Sequence, residues 1–379
     1  MTSRILTGDA ATWRSRRTGV KWGHYPDDVL PLWVAEMDAT PCEPVVEAVS
    51  AALRRGDTGY PLGADFVDAA VGYAADTWAW TIDPTRATPV ADVMIGLAEL
   101  VRCVTDPGGP VIVSSPVYNA FFDFVAMTGR RVVDAPLCGG RLDLAALDLT
   151  FAEVTAQGGR AAYLLCNPQN PTGTVHTASE LAALAGLANR HGVVVIADEI
   201  HAPIVHDGPF TPYLSVPGGQ QGASFLSASK AWNLAGLKAA LAVIGSDARS
   251  ELAIHEAHTH GASHLGQIAA VAAWTDGRPW LAQVTAEIAE NRVLLGRLLA
   301  EHLPKIRYAA PAATYLAWLD CRALGLGEDP ASVIRERGRV ALSSGPTFGD
   351  TGRGHVRLNL ATSPDIVTEA VRRMAGSLG

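Results

Sequence analysis

Lysine is scarce in this 379-residue chain: of 30 basic residues only Lys21, Lys230, Lys238 and Lys305 are lysines, so chemistry that needs a side-chain amine has four candidates. Cysteine is scarce too. The five residues never fall in a C-x-x-C spacing, which argues against a disulfide framework or a zinc ribbon and reads as reduced, mostly core thiols. There is no basic block, and 38 acidic against 30 basic residues give a formal net charge of −8, a poor match to nucleic acid. No stretch approaches the ~18 uninterrupted apolar residues of a membrane span, and no apolar segment follows the basic residues near the start. The expectation is a cytoplasmic protein with no membrane partner. Internal repeats and low-complexity tracts are also missing. With 48% hydrophobic and 18% charged residues the composition is that of a folded globular chain.

What is present alternates. Helical patterns are interleaved with short apolar runs rich in Val and Ile (111–114, 131–134, 161–166, 193–197, 224–227 and 241–244), the signature of an α/β unit with a parallel or mixed sheet. Three runs lead directly into polar segments: Cys166 into NPQNPTG, Ala197 into DEIH, and Ser227 into ASK. Ligands of open α/β sheets bind beyond the carboxyl ends of the strands, so these segments are expected on one rim. A long helical pattern after Pro279 would connect to a smaller α+β unit with strands in ATYLAWLDC and HVRLNLA and a last helix opened by Ser363-Pro364. The expected division is residues 1–44 as an arm that also joins the small domain, 45–278 as the large domain, and 279–379 as the small domain.

Several residues on that rim have chemical potential. Lys230 follows a strand among small residues, where its amine could form a Schiff base; alone it would read as a solvated lysine. Asp198 ends the apolar run VVVIAD, where a buried carboxylate requires a cation, although a helix cap or an arginine would serve as well as a protonated ring nitrogen. Asn170 sits in a proline-shaped turn that would fix its amide. Gly96, Leu97 and Ala98 read as the start of a helix whose free amides could bind phosphate. Tyr118 could stack on a flat ring or be core. Arg357, flanked by apolar residues, requires a carboxylate, internal or from a substrate. His255, His258, His260 and His264 lack an ordered set of companion ligands, so no metal site is expected.

In order, NPTG, D-E-x-H, S-x-S-K and R-x-N resemble the fold type I pyridoxal 5'-phosphate (PLP) enzymes of the class I/II aminotransferase family, over nearly the whole chain. The resemblance implies the PLP-dependent transferase fold: a large domain with a mostly parallel seven-stranded sheet between helices, and a smaller α+β domain. It implies that Lys230 holds the cofactor as a Schiff base and moves the Cα proton. Asp198 would keep the pyridine nitrogen protonated, Asn170 and His201 would lie at the ring's 3'-oxygen, and Tyr118 would stack on the ring. The amides from Gly96 to Ala98, with Ser227, Ser229 and Lys238, would hold the phosphate. Arg357 would grip the substrate carboxylate, with Trp33, Tyr118 and Asn170 beside the substrate. Tyr60 would reach the phosphate of a partner subunit's site, implying a homodimer with shared active sites.

The segment LPLWVAEMD followed by GDTGYPLG resembles the cystathionine β-lyase (MalY/PatB) branch. Departures from that pattern are Glu36 in place of Asp, Gln169 in place of His, and Ala313 in place of Gly. The activity implied is α,β-elimination of cystathionine or another S-substituted L-cysteine to thiol, pyruvate and ammonia. Transamination, or decarboxylation or oxidative deamination of an S-conjugated cysteine, would use the same cofactor residues and stays open. A purely regulatory protein would be expected to lose Lys230 or Asp198, and both are present.

Overall fold

The computed structural model describes residues 3–156, 158–255 and 260–378. Its strands in chain order are β1 (Leu30–Pro31), β2 (Ala87–Val90), β3 (Pro110–Val113), β4 (Arg131–Asp134), β5 (Ala162–Cys166), β6 (Val194–Asp198), β7 (Ala223–Leu226), β8 (Ala240–Ile244), β9 (Arg307–Tyr308), β10 (Leu316–Asp320), β11 (Val340–Ala341), β12 (Ser343–Ser344) and β13 (His355–Asn359). Seven form one sheet in the order β2-β8-β7-β6-β5-β3-β4, in which β8 alone runs antiparallel to its neighbours. This is the mostly parallel seven-stranded α/β sheet that the sequence resemblance implied. β2 was not legible because Pro89 interrupts its apolar pattern; at the sheet edge a missing N–H is tolerated.

The central strands read as unbroken apolar runs because both of their faces are buried. Tyr163, Leu165, Val195 and Ala197 enter one core, while Ala162, Leu164, Cys166, Val194 and Ile196 enter the other. Neighbouring side chains of a strand point to opposite faces, so each run must be apolar throughout. Crossovers are supplied by amphipathic helices such as Ala178–His191. That helix opens with a capping box between Thr177 and Glu180 and stops at Gly192, where φ is 69°.

β9, β10, β12 and β13 form an antiparallel sheet, linked to the larger one by the 25-residue helix Arg278–His302. The N-terminal arm belongs to neither run of sequence alone. Its β1 pairs in parallel with β11, and beyond it the segment 33–38 is held from several sides. Asn359 donates to the carbonyls of Val34 (2.7 Å) and Glu36 (2.6 Å), and the Asn233 side chain brackets the Met37 backbone at 2.8 and 2.9 Å. Below them lies a buried ion pair, Lys21 to Asp38 at 2.9 Å, whose carboxylate also accepts from the Trp22 indole at 2.7 Å. The arm is thereby fixed across the carboxyl rim of the large sheet.

Candidate active site

The rim, the arm and β13 enclose a cavity of about 470 Å³. Each wall is the continuation of an element already described. β5 runs into Asn170, β6 ends on Asp198, β7 leads to Ser227, Ser229 and Lys230, and β3 leads to Tyr118. β13 contributes Arg357 from its middle, and the arm contributes Trp33, Val34 and Ala35. His201 and Lys238 line the same cavity. Residues separated by more than three hundred positions are thus brought together.

Electrostatics at the inner end follow from burial. Among the described residues Asp198 accepts one hydrogen bond, from the Ile200 amide at 3.1 Å, and burial pushes its carboxyl up to about 6. Lys230 donates to the Ala35 carbonyl at 3.2 Å; burial, reinforced by the positive charge of Arg357, lowers its ammonium to about 8. Arg357 is buried and burial lowers it to about 10. Its guanidinium donates to Asn170 Oδ1 (3.0 Å), the Trp33 carbonyl (3.1 Å) and Ser343 Oγ (3.1 Å), and sits 4.9 Å from the centre of the Phe348 ring. Among the described residues no carboxylate pairs with it, and its Nε has no partner. Burial also holds the His201 imidazole well below its ordinary range, hence neutral, with Nδ1 unpartnered and the ring 5.7 Å from that of Tyr315. The Tyr118 phenol is pushed up to about 12 by burial, so it remains protonated.

A buried carboxylate, a buried guanidinium and an amine lowered towards neutrality share one cavity, and among the described residues neither the carboxylate nor the guanidinium forms an ion pair. Burying charge unpaired is costly, so such a set is stable in evolution only if a ligand completes it. A protonated aromatic nitrogen at Asp198, an aldehyde at Lys230 and a carboxylate at Arg357 would do so. Trp33 also lines the cavity, and its indole N–H is buried with no hydrogen-bond partner among the described residues.

The expected phosphate amides are corrected. The helix carrying Gly96, Leu97 and Ala98 begins three residues earlier, at Val93, with Asp92 as its cap. Gly96 N–H is already donated to the Asp92 carbonyl at 3.0 Å, and none of the three residues lines the cavity. Gly96 serves packing instead: a Cβ there would lie 2.5 Å from the Phe225 ring. Asp92, Val93 and Met94 face the cavity, and the Asp92 carboxylate accepts from Met94 N–H at 2.8 Å and pairs with Lys238. The signal for this start was present in the sequence, an Asp before an apolar helical run. Ser227 Oγ donates to the Ala239 carbonyl at 2.8 Å and accepts from the Ser229 amide at 3.1 Å, fixing both serines at this end.

Tyr60 lies outside the cavity of its own chain. It is 88% exposed, edge-on to His260, in a stretch where Leu62 is 95% exposed. Of the histidine group, His258 lies outside the described residues, and His264 pairs with Asp57 at 2.9 Å. Gln169 does not face the cavity: its amide donates to the carbonyls of Ser114 (3.1 Å) and Pro116 (2.8 Å), tying the β5 loop to the β3 loop. Tyr315, which donates to the same Ala35 carbonyl as Lys230 at 3.0 Å, carried no signal in the sequence because its role depends on the arm.

The chain matches aminotransferase class I and II over residues 59–374. A Mycobacterium tuberculosis protein with the provisional name cystathionine beta-lyase is 50% identical, with 96% of each chain covered. Cystathionine beta-lyase of Corynebacterium glutamicum is 33% identical over 96% of this chain and 98% of its own. A solved structure from Corynebacterium diphtheriae, described provisionally as a PLP-dependent beta-cystathionase, superposes with a TM-score of 0.91 at 34% identity and covers 99% of both chains. The chain belongs to the class I and II aminotransferase family.

Proposed function

We propose that this protein is a PLP-dependent carbon–sulfur β-lyase, which converts cystathionine or another S-substituted L-cysteine and water to a thiol, pyruvate and ammonia. One observation carries the reading: Lys230, Asp198 and Arg357 line one cavity, and among the described residues neither the buried carboxylate nor the buried guanidinium forms an ion pair.

These residues fit the cofactor. Lys230 would hold it covalently, Asp198 would face its ring nitrogen, and Asn170 and His201 would lie at its 3'-oxygen. Tyr118 would pack on the ring, and Ser227, Ser229, Lys238 and the start of the helix Val93–Val104 would take its phosphate. When bound, PLP supplies an electron sink for the negative charge that develops at Cα. Arg357 binds the α-carboxylate of the amino acid, which fixes the Cα–H bond against Lys230. Burial lowers Lys230 to about 8, so its neutral amine is far more accessible near neutral pH than that of an exposed lysine, and it removes that proton. The same amine then delivers a proton to the sulfur that leaves Cβ. The Ala35 carbonyl, held by the fixed arm, orients it through the 3.2 Å hydrogen bond.

The exposed Tyr60 and Leu62 support a homodimer in which each Tyr60 completes the phosphate end of the other site. All five cysteines are free, which fits the cytoplasm. Among the described residues no helix is long and apolar enough to cross a membrane.

The test is to incubate the PLP-loaded protein with L-cystathionine and no keto acid. Equal amounts of pyruvate, ammonia and thiol over many turnovers are expected, and Lys230→Ala should abolish them. Amino-group transfer to an added keto acid without thiol release would replace this reading by transamination.

A further inference from the structure

The outer wall of the cavity is polar in a way that the elimination itself does not require. It is formed by Asp329, Ala331, Ser332 and Arg335, from the start of the helix Pro330–Gly338, with Tyr25 of the arm. Arg335 is half-buried, its guanidinium 5.7 Å from the centre of the Tyr25 ring. Several other arginines of the same region are paired with carboxylates: Arg339 with Asp28, Arg353 with Glu328, and Arg372 and Arg373 both with Glu369, whereas Arg337, on the same helix, faces solvent. Among the described residues no carboxylate pairs with Arg335. Asp329 is the opposite case. One of its oxygens accepts from Ser332 Oγ at 2.5 Å, and the other, Oδ1, is buried with no hydrogen-bond partner.

The reacting end of an amino acid substrate has its carboxylate at Arg357, deep in the cavity. A second unpaired guanidinium at the mouth is therefore surplus for a leaving group such as methanethiol, which needs only apolar surface. A cation and a carboxylate on one cavity wall suit a zwitterion, because each offers the charge opposite to one end of an α-amino acid. Arg335 in particular offers the planar fork that matches a carboxylate.

We propose that Arg335, with Ser332 and Asp329, forms a subsite for the amino-acid end of the departing thiol. The protein is thereby selective for thioethers that carry an α-amino acid at both ends, as cystathionine does, over S-alkyl cysteines. This rests on the lyase reading above.

The experiment compares kcat/KM for L-cystathionine and S-methyl-L-cysteine in the holoenzyme and in Arg335→Met, Arg335→Lys and Asp329→Asn variants, each checked for unchanged cofactor absorption. Loss of a charge-assisted contact at a half-buried site is expected to lower kcat/KM for L-cystathionine about tenfold or more in Arg335→Met. Arg335→Lys should restore part of it, and S-methyl-L-cysteine should change less than about twofold. An equal fall for both substrates, or none for either, overturns the subsite while pyruvate formation by the unaltered enzyme leaves the lyase reading standing. Pyruvate from neither substrate in the unaltered holoenzyme overturns both.

Discussion

In the protein freed of cofactor, Asp198 should be a source of instability that depends on pH. Its carboxyl titrates at about 6 in the folded chain and at 3.8 when unperturbed, because burial disfavours the anion. The folded state therefore keeps this proton to higher pH than the unfolded state. The contribution to stability is fully present below the unperturbed value and is lost as pH rises through about 6. At about 1.4 kcal/mol for each pH unit between the two values, the loss is roughly 3 kcal/mol. Asn at this position keeps the acceptor for the Ile200 amide and cannot ionise. The assay is urea unfolding of the apoprotein and its Asp198→Asn variant from about pH 4 to about pH 7.5, taking the stability difference at each pH. That difference should shift in favour of the variant by roughly 2 kcal/mol across the range, because part of the change lies below pH 4, and the holoprotein should show a flatter profile, since a cationic ring nitrogen would meet the carboxylate. A difference that stays constant with pH in the apoprotein would refute the argument that Asp198 is buried without a compensating cation.

Three further outcomes are expected. Lys21→Met should destabilise the protein by about 3–5 kcal/mol, because Asp38 is left buried and charged; joint replacement of both residues by apolar ones should cost much less, and urea unfolding of the single and double variants checks it. Arg357→Leu should lower kcat/KM for L-cystathionine by about 10- to 100-fold, the worth of a buried charge-assisted contact, with cofactor absorption retained; near-normal kinetics would remove Arg357 from substrate binding. Asp92→Asn keeps the helix cap but removes a negative charge beside Lys238 and the helix start, so PLP should bind the apoprotein about two- to fivefold more tightly in an absorbance titration, with weaker binding as the contrary result.

The sequence alone determined the α/β class, most strand positions and several of the residues that line the inner end of the cavity. The reason is physical: strands buried on both faces must be apolar throughout, so a charged or special residue at their carboxyl ends stands out, as Asp198, Asn170 and Lys230 do. Scarcity helped as well, since four lysines left few choices. Three things were decided only by the tertiary structure. The helix expected to open at Gly96 begins at Val93, because the cap is set by the Asp92 side chain and Gly96 is spent on packing against Phe225. The arm's role is a matter of contacts between residues about 200 to 320 apart, such as Asn233 with Met37 and Asn359 with Val34, which leave no local pattern. Arg335 looks in sequence like any arginine of an exposed helical turn. Only the enclosure of the cavity by the arm and the helix Pro330–Gly338 shows it to be a wall residue that no carboxylate among the described residues neutralises.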